Sequence, residues 1–518
     1  MKPRTFYHLL ALIAVLGGLA VYFATSQFGP GLSTDGARYL STAESLAAGR
    51  GTLDYLGEPL VNWPPLYPAI IAVLHRLTGA DVMGIAQLIN ILTFPAIIAI
   101  SGVFFTRALP GRYIFALFAT LVVASSRALI EVSANVASDP LFMLCVLLWL
   151  LAAQRYAATR SPRSFWHMAL LAAAACFLRY AGSSLVIAGG LMVLWVWRDE
   201  WRQAVLRAAA YGALSAGPIG LWAVFHNYRL TGILLGTHQP SYPPGLFVAA
   251  VEKVASWFVP ERILLSVPPL ALLGVLLLAL ALRSTRRRWA AWLQRSLAAP
   301  LLPAIAFTLV YGAMLVFTIS YSEHRVHGSQ RLHAVLLPCL LVLGYTLYQE
   351  FGVRLQRAWR GLALAAAALG LIFPLYRTVE YVRSSHAEGD VSYYNLYNTR
   401  ALRQSDFAAH LSQFPFQPED KVYSNNEGAA WFLLRRRIYR LPRYDGETQA
   451  SLQAALADFE GWPAPDDTAW LVWFSDALDY KRDVPTPQQM REHIPASTMR
   501  VLSNYGSGYG EIYVLDVE

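Results

Sequence analysis

Two short stretches decide the fold of this chain: Thr34-Asp35-Gly36-Ala37-Arg38-Tyr39 and, about thirty residues further on, Trp63-Pro64-Pro65-Leu66-Tyr67-Pro68. The first follows an apolar run at residues 7–24, and the second precedes another at 82–105. An acidic side chain and a stiff aromatic turn therefore lie between two segments that are long enough to cross a bilayer. This arrangement predicts chemistry at the edge of a membrane.

The composition of the whole chain favours a membrane protein. Hydrophobic residues make up 56% of the 518 residues, charged residues only 14%, and the mean hydropathy is +0.39. Ordinary soluble domains contain about 25% charged residues. The formal charge of +9 does not indicate a nucleic-acid partner, because the basic residues occur in short clusters between apolar runs and do not form one basic face.

About eleven apolar runs are long enough to cross about 30 Å of hydrocarbon as helices. Short basic loops normally stay in the cytoplasm, and with eleven spans the Arg-rich loops fall on the same side as Lys2 and Arg4. The loop that contains Asp35 then faces the exterior. The first run has no obvious cleavage site and is interpreted as a retained anchor. The predicted spans are 7–24, 82–105, 112–127, 139–156, 165–180, 182–198, 203–225, 263–282, 300–320, 333–351 and 358–378.

After the last of these spans the apolar runs become shorter and charged residues are mixed among them. We therefore predict a membrane domain at residues 1–380 and a soluble exterior domain at 381–518. In the second part, short apolar runs alternate with helical patterns, which is typical of an α/β domain. The run Gly506–Gly510 predicts a turn and not a phosphate loop, because no helix follows it. The predicted strands are 421–424, 437–441, 468–474 and 511–515, and the predicted helices lie near 426–436, 447–459 and 487–493.

Both ends of the first exterior loop predict amphipathic helices in the membrane interface. Residues 36–48 and 66–78 each place their large apolar side chains on one helical stripe, a pattern typical of helices that lie on a membrane surface. Such helices would hold Asp35 at the depth of the lipid headgroups. An alternative is that Asp35 caps the helix that follows it, although Ser33 or Thr34 can also fill that role.

Three charged residues at the exterior ends of other predicted spans form a candidate site together with Asp35. Asp139 begins the fourth span, Arg179 ends the fifth and Arg331 precedes the tenth. Ionisable groups at membrane depth are costly and usually face a cavity or a partner, and guanidinium groups suit phosphate oxygens. The alternatives are that Asp139 caps its helix and that the two arginines snorkel to the headgroups.

These motifs resemble those of the GT-C membrane glycosyltransferases. The first loop, with an Asp soon after the first span and Trp63–Pro68 ahead of a short amphipathic helix, is similar to that of the branch that contains protein O-mannosyltransferases and lipid A aminoarabinose transferases. Further matches are Ser138–Phe142, Leu178–Gly182 and the spacing from Arg331 to Pro338. Together they run across most of residues 1–340.

The resemblance implies an inverting transferase that moves a sugar from a polyprenyl-phosphate donor to a hydroxyl of a glycan, lipid or protein. It also implies a bacterial inner membrane, with the site facing the periplasm. Asp35 is then the catalytic base, Arg179 and Arg331 hold the donor phosphate, and Asp139 has a supporting or metal-binding role. A phosphate leaving group departs as an anion and needs no general acid, so one carboxylate suffices.

The sequence departs from the family pattern at two positions. Gly36 stands where relatives often have Glu, and Trp63 stands where they often have Lys before the Pro-Pro pair. Glu44 or Asp139 would have to supply any second carboxylate, while Trp63 can stack on a sugar face or lie in the headgroup belt. The first-loop residues assigned to substrate binding are Arg38, Tyr39, Glu44, Trp63 and Tyr67.

Two other classes of function stay open: a transporter or flippase for a lipid-linked sugar, and a non-catalytic assembly protein. A transporter of this kind typically has polar groups in discontinuous spans near the middle of the membrane, whereas the polar groups here concentrate at one face. Participation of a divalent metal also stays open. Its candidate ligands are Asp139, His324 and His327.

Overall fold

In the computed structural model, helices account for most of the chain, and five strands form one sheet near its C-terminus. Contacts divide the molecule into two compact units that are not continuous in sequence. Unit 1 contains Met1–Ala24, Val61–Tyr67 and Leu88–Ser384, and unit 2 contains Thr25–Leu60, Pro68–Gln87 and Ser385–Glu518. The structure describes residues 1–234, 250, 252, 254–257, 283–298, 300–321, 330–351, 357–391, 395–444, 448–457, 469–475, 484–493, 499–504 and 510–515.

Helices make up most of the described residues from the N-terminus to residue 388. A 3-10 turn at Tyr180–Gly182, which is tighter than an α-helix, and a π-helical turn at Ala223–Tyr228, which is wider, interrupt them. The helices are α1 (Pro3–Ala24), α2 (Thr34–Ala47), α3 (Leu66–Thr78), α4 (Val82–Ala108), α5 (Tyr113–Ala124), α6 (Arg127–Ser133), α7 (Asp139–Thr159), α8 (Pro162–Leu178), α9 (Ser183–Val196), α10 (Trp201–Trp222), α11 (Arg229–Thr231), α12 (Arg283–Ser296), α13 (Leu302–Tyr321), α14 (Gln330–Ala334), α15 (Leu337–Phe351) and α16 (Arg357–Glu388).

Within the described residues, five helical segments are long and apolar enough to cross a membrane: α1, α4, α7, the continuous stretch Trp201–Thr231, and α13. The pair α5 and α6 is bent by 51° and makes a sixth span if it is counted as one. These segments fit a polytopic helical membrane protein. The count of eleven stays a prediction, since the run at 263–282 lies outside the described residues. Helices α8, α9, α15 and α16 lie at four other predicted spans.

Helices α7 to α10 pack together in the interior of unit 1. Tyr211 of α10 is fully buried, and its hydroxyl accepts a hydrogen bond from Trp149 Nε1 at 2.9 Å and donates one to the Leu185 carbonyl at 3.0 Å. A Cβ on Gly189 would lie 2.4 Å from the Tyr211 ring. Glycine at this position therefore lets α9 and α10 approach each other closely.

The C-terminal part of unit 2 is built on a mixed five-stranded sheet. Its strand order is β2-β1-β3-β5-β4, in which β1 runs parallel to β2 and β3, while β5 runs antiparallel to β3 and β4. Tyr423, Leu471 and Met490 belong to the core that one face of the sheet buries. The strands are β1 (Lys421–Ser424), β2 (Tyr439–Arg440), β3 (Ala469–Trp473), β4 (Met499–Asn504) and β5 (Glu511–Leu515).

Five helices accompany this sheet: α17 (Arg400–Arg403), α18 (Asp406–Gln413), α19 (Glu427–Leu434), α20 (Gln449–Ala457) and α21 (Pro487–His493). Three of them, and every strand except β4, lie where the sequence predicts them. The predicted turn at Gly506–Gly510 lies outside the described residues except for Gly510.

Most of the first loop of the chain, Thr25–Leu60 and Pro68–Gln87, also belongs to unit 2. Its helix α2 buries the apolar stripe that the sequence predicts, including Tyr39 and Leu40. Ser41 and Ser45, which the sequence pattern places off this stripe, are buried as well. Helix α2 packs against α19, and its place in the membrane interface stays a prediction.

Candidate functional site

Asp35 lies in the first turn of α2, where its carboxylate is not the helix cap. Ser33 has an extended backbone (φ −91°, ψ 176°), and its Oγ accepts a hydrogen bond from Gly36 N at 3.2 Å. The Asp35 side chain is half-buried. The capping alternative for Asp35 is therefore wrong, because Ser33 caps α2, and the carboxylate is retained at the helix N-terminus, where a negative charge is favourable.

Arg38, one turn after Asp35, is bound within the protein. Its Nη1 lies 2.5 Å from Asp54 Oδ2 and 3.9 Å from Glu58 Oε2. Burial by itself lowers the pKa of Arg38, but the charges of Tyr55, Asp54 and Glu58 together outweigh it, and the net shift is upward. The guanidinium is thus a structural cation in this arrangement, and its role in substrate binding stays a prediction.

Two further residues of α2 were predicted to touch the substrate. Tyr39 is buried, with 2% of its surface exposed. Glu44 Oε1 lies 3.1 Å from Arg435 Nη1. Burial raises the pKa of the Glu44 carboxyl, and the nearby charge of Arg435 offsets this shift only in part. Both side chains therefore have contacts inside unit 2, and their roles toward a substrate are not tested.

In unit 1, Asp139 and Arg179 form a buried ion pair. Arg179 Nη1 lies 2.7 Å from Asp139 Oδ2, and their side chains are 18% and 4% exposed. Asp139 is the first residue of α7, after Ser138 at the cap position, so it is not the cap itself. Arg179 ends α8 and is turned onto Asp139. The pair explains how two charges are accommodated at the end of apolar helices.

A third element of unit 1 joins this pair through Tyr311, a residue of α13 that the sequence did not single out. The Tyr311 hydroxyl donates a hydrogen bond to the carbonyl of Leu332 at 2.8 Å, next to Arg331 in the chain. Tyr311 also interacts electrostatically with Arg179 and Asp139. A single tyrosine in an apolar helix carries no sequence signal of its own, so only the packing reveals this link.

Tyr180 connects the same region to the Trp63 turn. Its hydroxyl donates to the Val61 carbonyl at 2.8 Å and accepts from Asn227 Nδ2 at 2.9 Å. Asn227 is fully buried in the π-helical turn and donates also to the Leu234 carbonyl at 2.7 Å. The sequence signal that points to Asn227 is a polar amide within an apolar helix. Trp63 itself is half-buried, and Tyr67 is fully buried.

A narrow cleft also opens in unit 1. Its walls carry two cationic side chains, Arg127 and Arg377, each of which lies over an aromatic ring, that of Tyr381 and that of Phe373 respectively. Gln330, the residue before Arg331, is part of the same wall. The cleft therefore has apolar walls and two cationic groups, and Arg127 is also paired with Glu131 at 3.7 Å.

The predicted site residues thus fall into two groups. Asp139, Arg179, Arg331, Trp63 and Tyr67 lie in unit 1, where Arg179 pairs with Asp139, while Tyr180 and Tyr311 bond to the carbonyls of Val61 and Leu332, close in the chain to Trp63 and Arg331. The residues in unit 2 are Asp35, Arg38, Tyr39 and Glu44. Convergence of the two groups on one site stays a prediction.

A metal site is also a prediction only. His324 and His327 lie outside the described residues, and Asp139 is paired with Arg179. Among the residues that the structure describes, no three His, Cys, Asp or Glu side chains are grouped in a way that could hold a metal ion.

Comparison with solved structures finds the fold of this chain in proteins of known structure. The chain is similar to ArnT from Cupriavidus metallidurans in the apo state, with a TM-score of 0.59 and 15% identity over 99% of this chain and 98% of that one. ArnT bound to undecaprenyl phosphate matches with a TM-score of 0.58 and 14% identity over 97% of both chains.

A mutant of the mycobacterial arabinofuranosyltransferase AftD is also similar, with a TM-score of 0.51 and 13% identity. That match covers 100% of this chain and 42% of the AftD chain. No family model and no curated protein matches the sequence. At these identities the likeness establishes the fold alone, and this fold is the one that the resemblance of the first-loop motifs led us to expect.

Proposed function

We propose that this chain is a membrane glycosyltransferase that moves a sugar from a polyprenyl-phosphate donor to an acceptor hydroxyl. The observation that carries the proposal is the likeness to ArnT over 97% of both chains, in a structure that contains undecaprenyl phosphate. A shared fold alone does not define an activity. The side chains around Asp35 and the Asp139–Arg179 pair supply the second support, because they suit the chemistry of this reaction.

Asp35 is the catalytic base in this proposal. Its carboxylate accepts the proton of the acceptor O–H, the oxygen attacks the anomeric carbon of the sugar, and the bond from that carbon to the phosphate oxygen breaks with inversion. The phosphate leaves as an anion and takes up no proton. Asp35 suits this role because Ser33 caps the helix and because α2 holds the carboxylate on a regular element, not on a mobile loop.

Arg179 and Arg331 stabilise the charge of the departing phosphate in this proposal. A guanidinium has five N–H donors, and Asp139 receives one from Arg179 at 2.7 Å. The buried carboxylate therefore fixes the orientation of Arg179 while other donors stay available to an oxyanion of the donor lipid. Trp63 offers an aromatic face on which a sugar ring can stack.

The acceptor is a hydroxyl of a glycan, a lipid or a protein, and the reaction takes place at the exterior face of a bacterial inner membrane. The distribution of the Arg-rich loops supports this orientation. Because Arg-rich loops face the cytoplasm, the end of α16 and the C-terminal part of the chain that follows it lie outside in this proposal.

The test is a comparison of glycolipids and glycoproteins from a deletion strain by mass spectrometry. The strain is complemented with the wild-type chain, with Asp35→Asn, or with Asp199→Asn as a matched control at an exposed position. We expect one glycosylated product to be absent in the deletion strain and with Asp35→Asn, and to be restored by the wild type and the control. The Asp35→Asn protein should keep the wild-type unfolding temperature and still bind undecaprenyl phosphate.

An unchanged product with Asp35→Asn would exclude Asp35 as the base. A transporter or flippase would give a different result, in which the variant transfers sugar normally from donor supplied at the exterior face. A non-catalytic assembly protein would restore the product with either variant.

A further inference from the structure

We propose that the C-terminal part of unit 2 positions the helix that carries Asp35, through a hairpin at residues 53–59 that joins α2 to the region of α19 and β2. The inference rests on the proposed function for the role of Asp35, and it assigns a task to the C-terminal residues. Trp431, Arg440 and Tyr397 are then positioning residues, which act through α2 and do not touch the substrate.

The hairpin is a well-defined small element. Leu53 and Pro59 form an antiparallel bridge, and Asp54 N donates a hydrogen bond to Glu58 O at 2.9 Å. Gly57 closes the turn with a φ of +79°, which favours glycine. The buried carboxylate of Asp54 accepts hydrogen bonds at Oδ1 from Leu56 N (2.9 Å) and Glu58 N (3.1 Å).

The hairpin is tied to α2 by polar contacts that are largely buried. Arg38 Nη1 donates to Asp54 Oδ2 at 2.5 Å. Ser41 Oγ accepts from Tyr55 N at 3.1 Å and donates to the Arg38 carbonyl at 3.1 Å. A buried charge or hydroxyl is costly without such partners. Arg38, which binds the hairpin, is three residues after Asp35. Residues three apart are neighbours on one helix surface, so Arg38 lies beside Asp35.

The other side of the hairpin contacts the C-terminal residues. The ring of Tyr55 stacks on Trp431 of α19, with centroids 5.9 Å apart and an angle of 24°. The Tyr55 carbonyl accepts from Ile438 N at 2.9 Å. Glu58 Oε2 pairs with Arg440 Nη2 at 2.7 Å, at the edge strand β2. Aromatic stacking, a backbone hydrogen bond and an ion pair thus join the seven-residue hairpin to the C-terminal residues.

Gly57 shows how close this contact is. A Cβ at this position would lie 2.8 Å from the guanidinium carbon of Arg437. Arg437 Nε also donates to the Leu56 carbonyl at 3.3 Å. The tip of the hairpin therefore contacts the Arg437 side chain, in the segment that leads into β2.

The chain that enters α2 is fixed by the same C-terminal residues. Leu32 O accepts hydrogen bonds from Leu396 N at 3.0 Å and Tyr397 N at 3.1 Å, and Leu32 N donates to Asn395 Oδ1 at 2.9 Å. The hydroxyls of Thr34 and Tyr397 lie 3.0 Å apart. Asp35 is the next residue. It is thus held from the N-terminal side by residues 395–397 and from the C-terminal side by the hairpin.

The test reverses one charge of the Glu58–Arg440 pair in the full-length protein in lipid nanodiscs. Both side chains are partly exposed, 45% and 38%, so reversal leaves the core intact. With Arg440→Glu, we expect faster amide hydrogen exchange in residues 52–60 and 34–39. We expect kcat to fall about tenfold with the KM for the donor within about twofold, because small misplacements of a catalytic group affect mainly the chemical step.

Glu58→Arg should have the larger effect, because the new charge faces Arg38 as well as Arg440. The double variant Glu58→Arg/Arg440→Glu restores the pair and should recover most of the exchange protection and of kcat, short of the wild-type level, since Arg38 still faces a like charge. Glu200→Arg is the matched control: it disrupts the Arg160–Glu200 pair of unit 1, with similar exposures of 42% and 54%, and should change neither readout.

Unchanged exchange in residues 34–60 with Arg440→Glu would overturn the proposal, and so would faster exchange with an unchanged kcat. A wild-type chain that transfers no sugar would instead sink the proposed function, and the catalytic part of this inference with it. If Asp35→Asn abolishes transfer while Arg440→Glu leaves kcat intact, only the positioning role fails.

Discussion

Glu58 and Arg440 are 382 residues apart in the sequence and form an ion pair of 2.7 Å within unit 2. One belongs to the hairpin that follows α2, and the other to the edge strand of the sheet. This relationship is a contact within one compact unit, which contains Thr25–Leu60 and Pro68–Gln87 as well as the C-terminal residues. The predicted domain boundary at residue 380 stays a prediction.

Replacement of Asp54 tests the link between the hairpin and α2. In Asp54→Ala, the largely buried Arg38 loses its nearest anion and two backbone N–H groups lose their acceptor. We expect a loss of about 3–5 kcal/mol in the free energy of unfolding, as for other broken buried pairs. Asp54→Asn keeps an acceptor for Leu56 N and Glu58 N and should lose less. Denaturant unfolding of both variants in detergent gives the comparison, and equal losses would contradict it.

Glu44 predicts a pH dependence of stability. Burial raises the pKa of its carboxyl above the ordinary value of 4.5, and Arg435 offsets the shift only in part. Because the folded-state pKa is the higher one, the stability that this group contributes is fully present below about pH 4.5 and is lost as the pH rises through the folded-state pKa. We expect Glu44→Gln to remove this component and to be at least as stable as the wild type at pH 7.

The measurement is the unfolding temperature of the wild type and of Glu44→Gln between pH 4 and pH 8. Glu419→Gln, an exposed carboxylate of unit 2, serves as the control and should follow the wild type at every pH. We also expect Glu44→Gln to transfer sugar normally. A lost activity with unchanged stability would assign Glu44 the role of the second carboxylate.

The Asp139–Arg179 pair predicts a separation between stability and lipid binding. Asp139→Ala leaves Arg179 without its carboxylate among apolar helices and should lower the free energy of unfolding by about 3–5 kcal/mol. The double variant Asp139→Ala/Arg179→Met removes both charges and should regain most of that loss. If Arg179 holds a phosphate, the double variant should still bind undecaprenyl phosphate more weakly than the wild type, by about tenfold or more.

Thermal unfolding and equilibrium binding of undecaprenyl phosphate check the two halves of this prediction. Arg155→Met, at an exposed position of α7, controls for the loss of a positive charge and should leave both quantities unchanged. Wild-type affinity in the double variant would restrict the pair to a structural role.

The sequence by itself determined the features that depend on local periodicity and composition. The apolar helices, α3 at residues 66–78, the strands β1 and β5 and the helix α21 lie where their own residues predict them, because each pattern is contained in one short segment. The missed strand β4 is different. Its residues 499–504 mix polar and apolar types without alternation, and pairing with β5 makes them a strand.

Tertiary structure decided the partners of the charged residues. Arg38 was predicted to meet a substrate and lies on Asp54, Glu44 lies on Arg435, and Arg179 lies on Asp139. The sequence shows where these charges lie on their helices, but the neighbouring residues do not indicate which opposite charge each one pairs with. A carboxylate and a guanidinium separated by 382 residues are neighbours only after the sheet has formed and the hairpin has packed on it. That is why the motif around Asp35 was readable from the sequence, while the C-terminal residues that hold it in place were not.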